Sequence, residues 1–548
     1  MCAVALALGD CAASKRTRNQ QGLGRVSHRI PPISLYTPQP KRRTPLCQQI
    51  TPPARPRVST GVAGLDDIVN GGLEPGRVYL VEGTPGTGKT TLSLQFLLTG
   101  CAAGETVLYV TLSESEQELR AVAETHGWTL DSVHIFELIS EVGLEPDQEQ
   151  TILHPSELEL GETTRGVMAR VEALNPTRVV FDSLSEMRLL AQSPLRYRRQ
   201  VLALKQFFTQ RGCTVFLLDD RTSTATDLQL HSVAHGVITL EQLALDYGAE
   251  RRRLRVVKLR GSQYRGGYHN FSIEPGGLEV HPRLVANEHQ VEFGNTPVST
   301  GNAGLDRLLG GGLAPGTNTL LIGPSGAGKT TTVTCAVLAA LRRGERAAYF
   351  LFDEGLKTLL ARSASLGMDL APHIADGRLI VRQIDPAELY PGEFAGLIRT
   401  AVERDGVQAV AIDSLNAYLH SMPGERHLML QMHELLSYLN QRGVITLMVL
   451  GQHGLIGDVR NDLDLSYLAD AIMLLRYVEV EGEIRKVVSV MKTRTAEHER
   501  SIREFWLSSD GVHVGEPLHG LRGVLTGTPT WSSTAPALGR VQDKADPA

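Results

Sequence analysis

The sequence predicts an α/β fold of two tandem domains, each a mainly parallel, doubly wound sheet with an antiparallel extension. Chain length, an internal repeat and the alternation of apolar runs with helical stretches carry that expectation. At 548 residues the chain exceeds what one core supports, since cores stop growing near ~250–300 residues. Val58-Ser59-Thr60-Gly61, followed by Gly64-Leu65-Asp66, returns as Val298-Ser299-Thr300-Gly301, followed by Gly304-Leu305-Asp306. The spacing is 240 residues, as between Thr60 and Thr300. It is kept by Gly71-Gly72-Leu73 with Gly311-Gly312-Leu313, and by Pro75-Gly76 with Pro315-Gly316. Self-similarity at a fixed period marks a duplicated domain.

Along the chain, residues 1–57 come first as an Arg/Pro-rich extension. Met1 to Ser14 is mildly apolar, but it lacks a basic leading region and is interrupted by Asp10, so it does not read as a signal peptide. Lys15 to Arg57 has too few large apolar residues to build a core. We expect disorder there, as a solvated tail or an interaction arm. The first domain is expected over 58–290 and the second over 291–531. Residues 532–548, rich in Ser, Ala and Pro, read as a flexible tail.

In the first copy the expected strands are Val78 to Val81, Val107 to Val110, Val179 to Phe181 and Val215 to Leu218. The second copy answers with Thr319 to Ile322, Ala348 to Leu351, Ala409 to Ile412 and Ile445 to Leu450. Near-continuous apolar runs separated by helical segments indicate buried parallel strands with crossover helices. Closely spaced strands at Arg253 to Leu259 and Lys486 to Met491 read as the antiparallel extension.

Composition is that of a soluble protein, 42% hydrophobic and 21% charged. A net charge of −5 gives no overall attraction to phosphate backbones or anionic lipid, so nucleic acid is not the expected partner. The six cysteines form no C-x-x-C pair and indicate neither zinc nor a disulfide framework. No apolar run approaches the ~20 residues needed to span a bilayer, and a cytoplasmic location is expected.

Gly83-Thr84-Pro85-Gly86-Thr87-Gly88-Lys89-Thr90 and Gly323-Pro324-Ser325-Gly326-Ala327-Gly328-Lys329-Thr330 both fit G-x-x-x-x-G-K-[ST], followed by Thr91 and Thr331. Each follows an apolar strand and opens a helix, the context this phosphate-binding loop requires. Glycines let consecutive N–H groups converge on phosphate oxygens at a helix N-terminus. Lys89 and Lys329 are expected to reach the β and γ phosphates of ATP, and Thr90 and Thr330 to offer hydroxyls to Mg²⁺.

A carboxylate ending a neighbouring buried strand should share the Mg²⁺. Asp182, after Val179-Val180-Phe181, and Asp413, after Val410-Ala411-Ile412, fit. Singly, such an aspartate also reads as a turn or N-cap residue; recurrence of Asp-Ser-Leu in both copies favours the metal reading. A group that polarises water should follow the second strand. Ser113-Glu114 and Asp353-Glu354 stand there, Glu114 and Glu354 again 240 apart. Helix capping competes, with Ser113 and Glu116 as a capping box and Asp353 as an N-cap. Finally, Lys258-Leu259-Arg260 and Lys492-Thr493-Arg494 each present two cations on one strand face. They read as solvated strand faces or as fingers reaching a neighbouring subunit's ATP.

On these motifs, with Tyr477-Val478-Glu479-Val480 and Arg503-Glu504-Phe505, the chain resembles the KaiC family of RecA-superfamily ATPases over nearly all of residues 58–531. The resemblance implies two RecA-like P-loop domains and a hexamer of two stacked rings. It places ATP between protomers, with the Lys-x-Arg pairs acting in trans, and implies signalling or clock-protein partners. It further implies slow ATP hydrolysis in the first ring and Ser/Thr autokinase activity in the second. Ser466 matches the first of the family's two adjacent phosphoacceptors, whereas Tyr467 replaces the second, a threonine. Two alternatives stay open: a nucleotide-switched scaffold without phosphotransfer, and a RecA/RadA-like DNA motor, against which stand the negative charge and the absence of a DNA-reading module.

Overall fold

The computed structural model describes residues 56–138, 155–191, 193–220, 228–244, 248–420, 428–452, 466–480, 482–523 and 530–531. The first repeat runs α1 (Ala63–Ile68), β1 (Val78–Gly83), α2 (Lys89–Ala102), β2 (Val107–Thr111), α3 (Glu116–Thr125), β3 (His134–Glu137), α4 (Pro155–Leu174), β4 (Arg178–Asp182), α5 (Leu184–Ala191), α6 (Pro194–Gln210), β5 (Thr214–Asp220), α7 (Leu228–Val233) and β6 (Gly236–Leu243). It closes with β7 (Arg251–Leu259), β8 (His269–Glu274) and β9 (Gly277–His281).

The second repeat runs α8 (Ala303–Leu308), β10 (Asn318–Gly323), α9 (Lys329–Arg342), β11 (Arg346–Leu351), α10 (Leu356–Ser365), α11 (Ala371–Ala375), β12 (Leu379–Gln383), α12 (Pro391–Glu403), β13 (Val407–Asp413), α13 (Leu415–His420), α14 (Leu428–Gln441), β14 (Ile445–Gly451) and β15 (Ala471–Val480). It ends on β16 (Glu483–Thr493), β17 (Arg503–Ser508) and β18 (Gly511–Pro517), followed by a small pair, β19 (Leu521–Arg522) and β20 (Thr530–Trp531). Of the expected N-terminal extension, residues 1–55 lie outside the described residues, as do 532–548. Arg57, also assigned to the extension, is tied to the first repeat by a 3.0 Å bond to Ser262 Oγ.

Two nine-stranded sheets result, ordered β3-β2-β4-β5-β1-β6-β7-β8-β9 and β12-β11-β13-β14-β10-β15-β16-β17-β18. In each, the first six strands are parallel and the last three antiparallel. The predicted α/β class and the antiparallel extension are therefore both present.

The period-2 geometry of a strand sends alternate side chains to opposite faces. Tyr79 and Val81 pack with Leu92, Phe96 and Leu97 of α2, whereas Val78 and Leu80 pack with Val171, Leu204 and Phe208 of α4 and α6. Phe96 stacks on Phe216 at 4.2 Å between centroids, and the Arg178 guanidinium caps it at 4.9 Å. Each fully buried phenylalanine here contributes about 2–3 kcal/mol by apolar burial. A core on both faces explains why these strands read as continuous apolar runs. It also puts the carboxyl ends of β1, β2, β4 and β5 side by side, where ligands of open α/β sheets bind.

The two repeats touch through the start of β7. Arg251 donates to the Leu389 carbonyl at 2.6 Å and lies over the Tyr390 ring at 5.0 Å. The Gly392 N–H donates to Asn270 Oδ1 at 3.2 Å, and Arg283 pairs with Glu434 at 2.9 Å.

Candidate nucleotide sites

Both phosphate loops leave the carboxyl end of the central strand and open a helix at their lysine. The residue before that lysine must be glycine for two reasons. Gly88 and Gly328 have φ of 95° and 104°, the left-handed region. A Cβ would also come within 2.8 Å of Ile273 Cδ1 and 2.6 Å of Phe505 Cε1. The lysines are nearly buried and point back into their loops. Lys89 donates to the Gly83 and Thr84 carbonyls at 2.9 and 3.1 Å, and Lys329 to those of Gly323 and Pro324 at 2.8 and 2.7 Å. Thr87 Oγ1 closes the first loop on the Thr84 carbonyl at 2.8 Å. Thr91 and Thr331, the third residue of each helix, are buried.

Asp182 and Asp413 end β4 and β13 beside these loops. Tyr109 donates to Asp182 Oδ2 at 2.6 Å, and Tyr349 to Asp413 Oδ2 at 3.4 Å. Burial pushes both carboxyls above the usual range, opposed at Asp182 by the Tyr109 bond and at Asp413 by a bond from the Thr330 hydroxyl. A buried carboxylate beside a hydroxyl is a hard-oxygen pair of the kind Mg²⁺ takes. These residues would fit that ion.

The acids that follow β2 and β11 behave differently. Glu114 is pushed up to about 7 by burial, and then by the charges of Asp182, Glu118 and Asp220. Its Oε2 is buried without a hydrogen-bond partner. Glu354 is held by Arg362 through two bonds, at 2.7 and 2.8 Å. Asp353 accepts from the Ser414 hydroxyl. The capping alternatives fail. Ser115 with Glu118 forms the capping box of α3, and Gly355 caps α10, so neither Ser113 nor Asp353 is a cap.

Three further groups escaped sequence reading. Asp220, at the end of β5, pairs with Lys89 at 2.7 Å, whereas Gly451 takes the corresponding place opposite Gly323. Arg362 lines a cavity of about 700 Å³ together with Lys329, Thr330, Glu354 and Asp413. Beneath the first loop, Glu82 accepts from Thr239 at 2.8 Å and meets His231 Nε2 at 2.9 Å, while Arg188 pairs with Asp219 at 3.0 Å. The second repeat puts Ile322 and Leu450 at the Glu82 and Asp219 positions. The first site is thus ringed by carboxylates that the second lacks. A signal did exist in the sequence, because the otherwise apolar β1 and β5 end in Glu82 and in Asp219-Asp220.

The Lys-x-Arg pairs do not enter their own phosphate loops. Lys258 donates to the His231 and Ala234 carbonyls, the latter at 2.9 Å, and Arg260 to Ser232 at 2.8 Å. Lys492 donates to the carbonyls of Ser466 and Ala469 at 3.0 and 2.8 Å, and Arg494 to Tyr467 at 3.2 Å. Ser466 therefore occupies in the second repeat the position of His231 in the first. It is half-buried, and Tyr467 is exposed. At the second loop, Tyr477 donates to the Ser325 carbonyl at 3.2 Å.

No described helix is long and apolar enough to cross a membrane. A family model described as "ATPase: KaiC" matches residues 58–285 and 298–519. The chain is similar to the circadian clock protein KaiC3 of Synechocystis sp., 27% identical over 485 residues that cover 87% of this chain and 95% of that one. It is also similar to the circadian clock oscillator protein KaiC of Synechococcus elongatus, 27% identical over 488 residues, 86% and 92% of the two chains.

Proposed function

Because the chain belongs to the KaiC family of ATPases, we propose that it is a two-site ATPase of circadian-type timing or signal transduction whose second site also phosphorylates Ser466. The observation that supports two working sites is the repeated set of a buried loop lysine, a strand-end aspartate and an acid after the neighbouring strand. In this reading Lys89 and Lys329 release their loop carbonyls to bind the β and γ phosphates. Thr90 with Asp182, and Thr330 with Asp413, hold Mg²⁺, which would neutralise phosphate charge when bound. Glu114 and Glu354 take the proton of the attacking group.

Ser466 is held by Lys492 just before β15, whose first residue pairs with Thr319 at the amino end of β10, whereas the phosphate loop leaves the carboxyl end of that strand. Phosphotransfer would therefore come from a neighbouring copy, in a cytoplasmic homo-oligomer, with six copies the number expected of the family. The domains that carry this chemistry are 58–290 and 291–531.

The test is to incubate the purified protein with Mg²⁺ and γ-labelled ATP, map the label, and size the assembly by light scattering with and without nucleotide. Label on Ser466 that disappears in S466A is expected. Intact hydrolysis with no label on Ser466 removes the kinase reading and leaves the nucleotide-switched scaffold.

A further inference from the structure

The two candidate bases sit at the same strand end in repeats of one chain, so each serves as a control for the other. Glu114 has an oxygen with no hydrogen-bond partner. Glu354 has both oxygens engaged by one guanidinium, at 2.7 and 2.8 Å. The cause is local: Arg362 lies one turn of α10 beyond Leu359, on the face that looks back at Glu354, and the residue 240 positions earlier is Val122. Asp353 is likewise engaged, by Ser414. A bidentate arginine pair occupies the carboxylate in a fixed planar geometry. Activating a water needs a free carboxylate lone pair within ~2.6–3.2 Å of it.

We propose that Arg362 is a positioning residue that acts as a brake on hydrolysis at the second site, by withholding Glu354 from the attacking water. This inference rests on Glu354 being the base there. The first site has no such brake, so the same acid is free in one repeat and restrained in the other. Arg362 is not sealed away. Its side chain is 35% exposed and lines the cavity that holds Lys329 and Thr330.

The experiment uses the full chain carrying E114Q, which removes first-site turnover, and measures steady-state ATP hydrolysis with and without R362A. The proposal expects R362A to raise kcat at least threefold with KM for ATP changed less than twofold. R362K, which offers a point charge without the planar fork, should return most of the low rate. A gain in kcat is not what loss of a merely structural contact produces, and melting curves on each variant identify any that fail to fold. Should R362A fail to fold, R362Q replaces it under the same criteria. An unchanged or lower kcat overturns the brake, as does a gain that survives addition of E354Q. The base assignment fails separately if E354Q, added to the E114Q chain without R362A, leaves its hydrolysis intact.

Discussion

Lys89 and Asp220 form a 2.7 Å ion pair at the mouth of the first phosphate loop, and the second loop has no counterpart because Gly451 carries no side chain. All three hydrogens of the Lys89 ammonium are thereby engaged, two on loop carbonyls and one on Asp220. Nucleotide binding at the first site must break the ion pair or share it, with Asp220 repelling the incoming phosphates. D220N should tighten ATP binding there by roughly threefold to tenfold, about 0.7–1.4 kcal/mol. Fluorescent-nucleotide titration of the K329A variant, whose second site is disabled, reads this directly. Weaker binding would mean that Asp220 positions Lys89 for the phosphates instead of competing with them.

Glu114 gives the first site a pH dependence. With its carboxyl pushed up to about 7 by burial, the group is largely protonated at pH 6 and becomes a usable base as pH rises. Hydrolysis by an E354Q protein, in which the first site alone turns over, should climb between pH 6 and 8. Stability runs the other way. A raised carboxyl favours the protonated folded state, so its contribution is fully present below the ordinary carboxylate range and is lost as pH rises through about 7. E114Q should therefore raise Tm at pH 8 and leave it unchanged at pH 4. A flat pH–rate curve would contradict the assignment.

Tyr109 is fully buried and gives its hydroxyl hydrogen to Asp182. Y109F keeps the ring and deletes the bond, leaving a buried carboxylate one donor short. The expected cost is roughly 1.5–3 kcal/mol of stability, the range for hydrogen bonds to charged groups, read by urea denaturation. Without that donor the ionised carboxylate is less favoured, so more Mg²⁺ should be needed for half-maximal hydrolysis at the first site.

Between the repeats, the Arg251 guanidinium is sandwiched against Tyr390 and bonded to the Leu389 carbonyl. R251A leaves that carbonyl unpaired and should cost roughly 1–3 kcal/mol. Because the lost contact joins the repeats and lies in neither core, calorimetry should show the melting transition broaden or divide in two. A single, equally sharp transition at lower temperature would place the loss inside one repeat.

Much of this was legible in the sequence, because the relevant signals are local. The loops, the strands before them and the Asp-Ser-Leu corners are contiguous patterns; a constant spacing of 240 matches each loop and its strand to its twin, and the corners recur 231 apart, at Asp182 and Asp413. The groups that distinguish the two sites are not contiguous with them. Asp220 meets Lys89 only because β5 pairs with β1 in register, and strand order cannot be read from one sequence. Arg362 looked like an ordinary polar helix residue, since nothing local says which face of α10 meets the end of β11. The Lys-x-Arg pairs were found by recurrence, but their bonds to the carbonyls around α7 and before β15 depend on how β7 and β16 pair with β6 and β15.

Strand β7 carries Arg251 at one end and Lys258 near the other, so a single stiff rod about 23 Å long, at ~3.3 Å per residue, joins the inter-repeat contact to the grip on α7. The ring of His231 on that helix meets Glu82, the residue before Gly83. A displacement where the repeats touch would thus arrive, after one strand and one imidazole, at the foot of the first phosphate loop. Where that linkage couples the two places, thermodynamic reciprocity requires nucleotide binding in the loop to act on the inter-repeat contact to the same extent. The rod would make the second repeat a load against which the first one turns over.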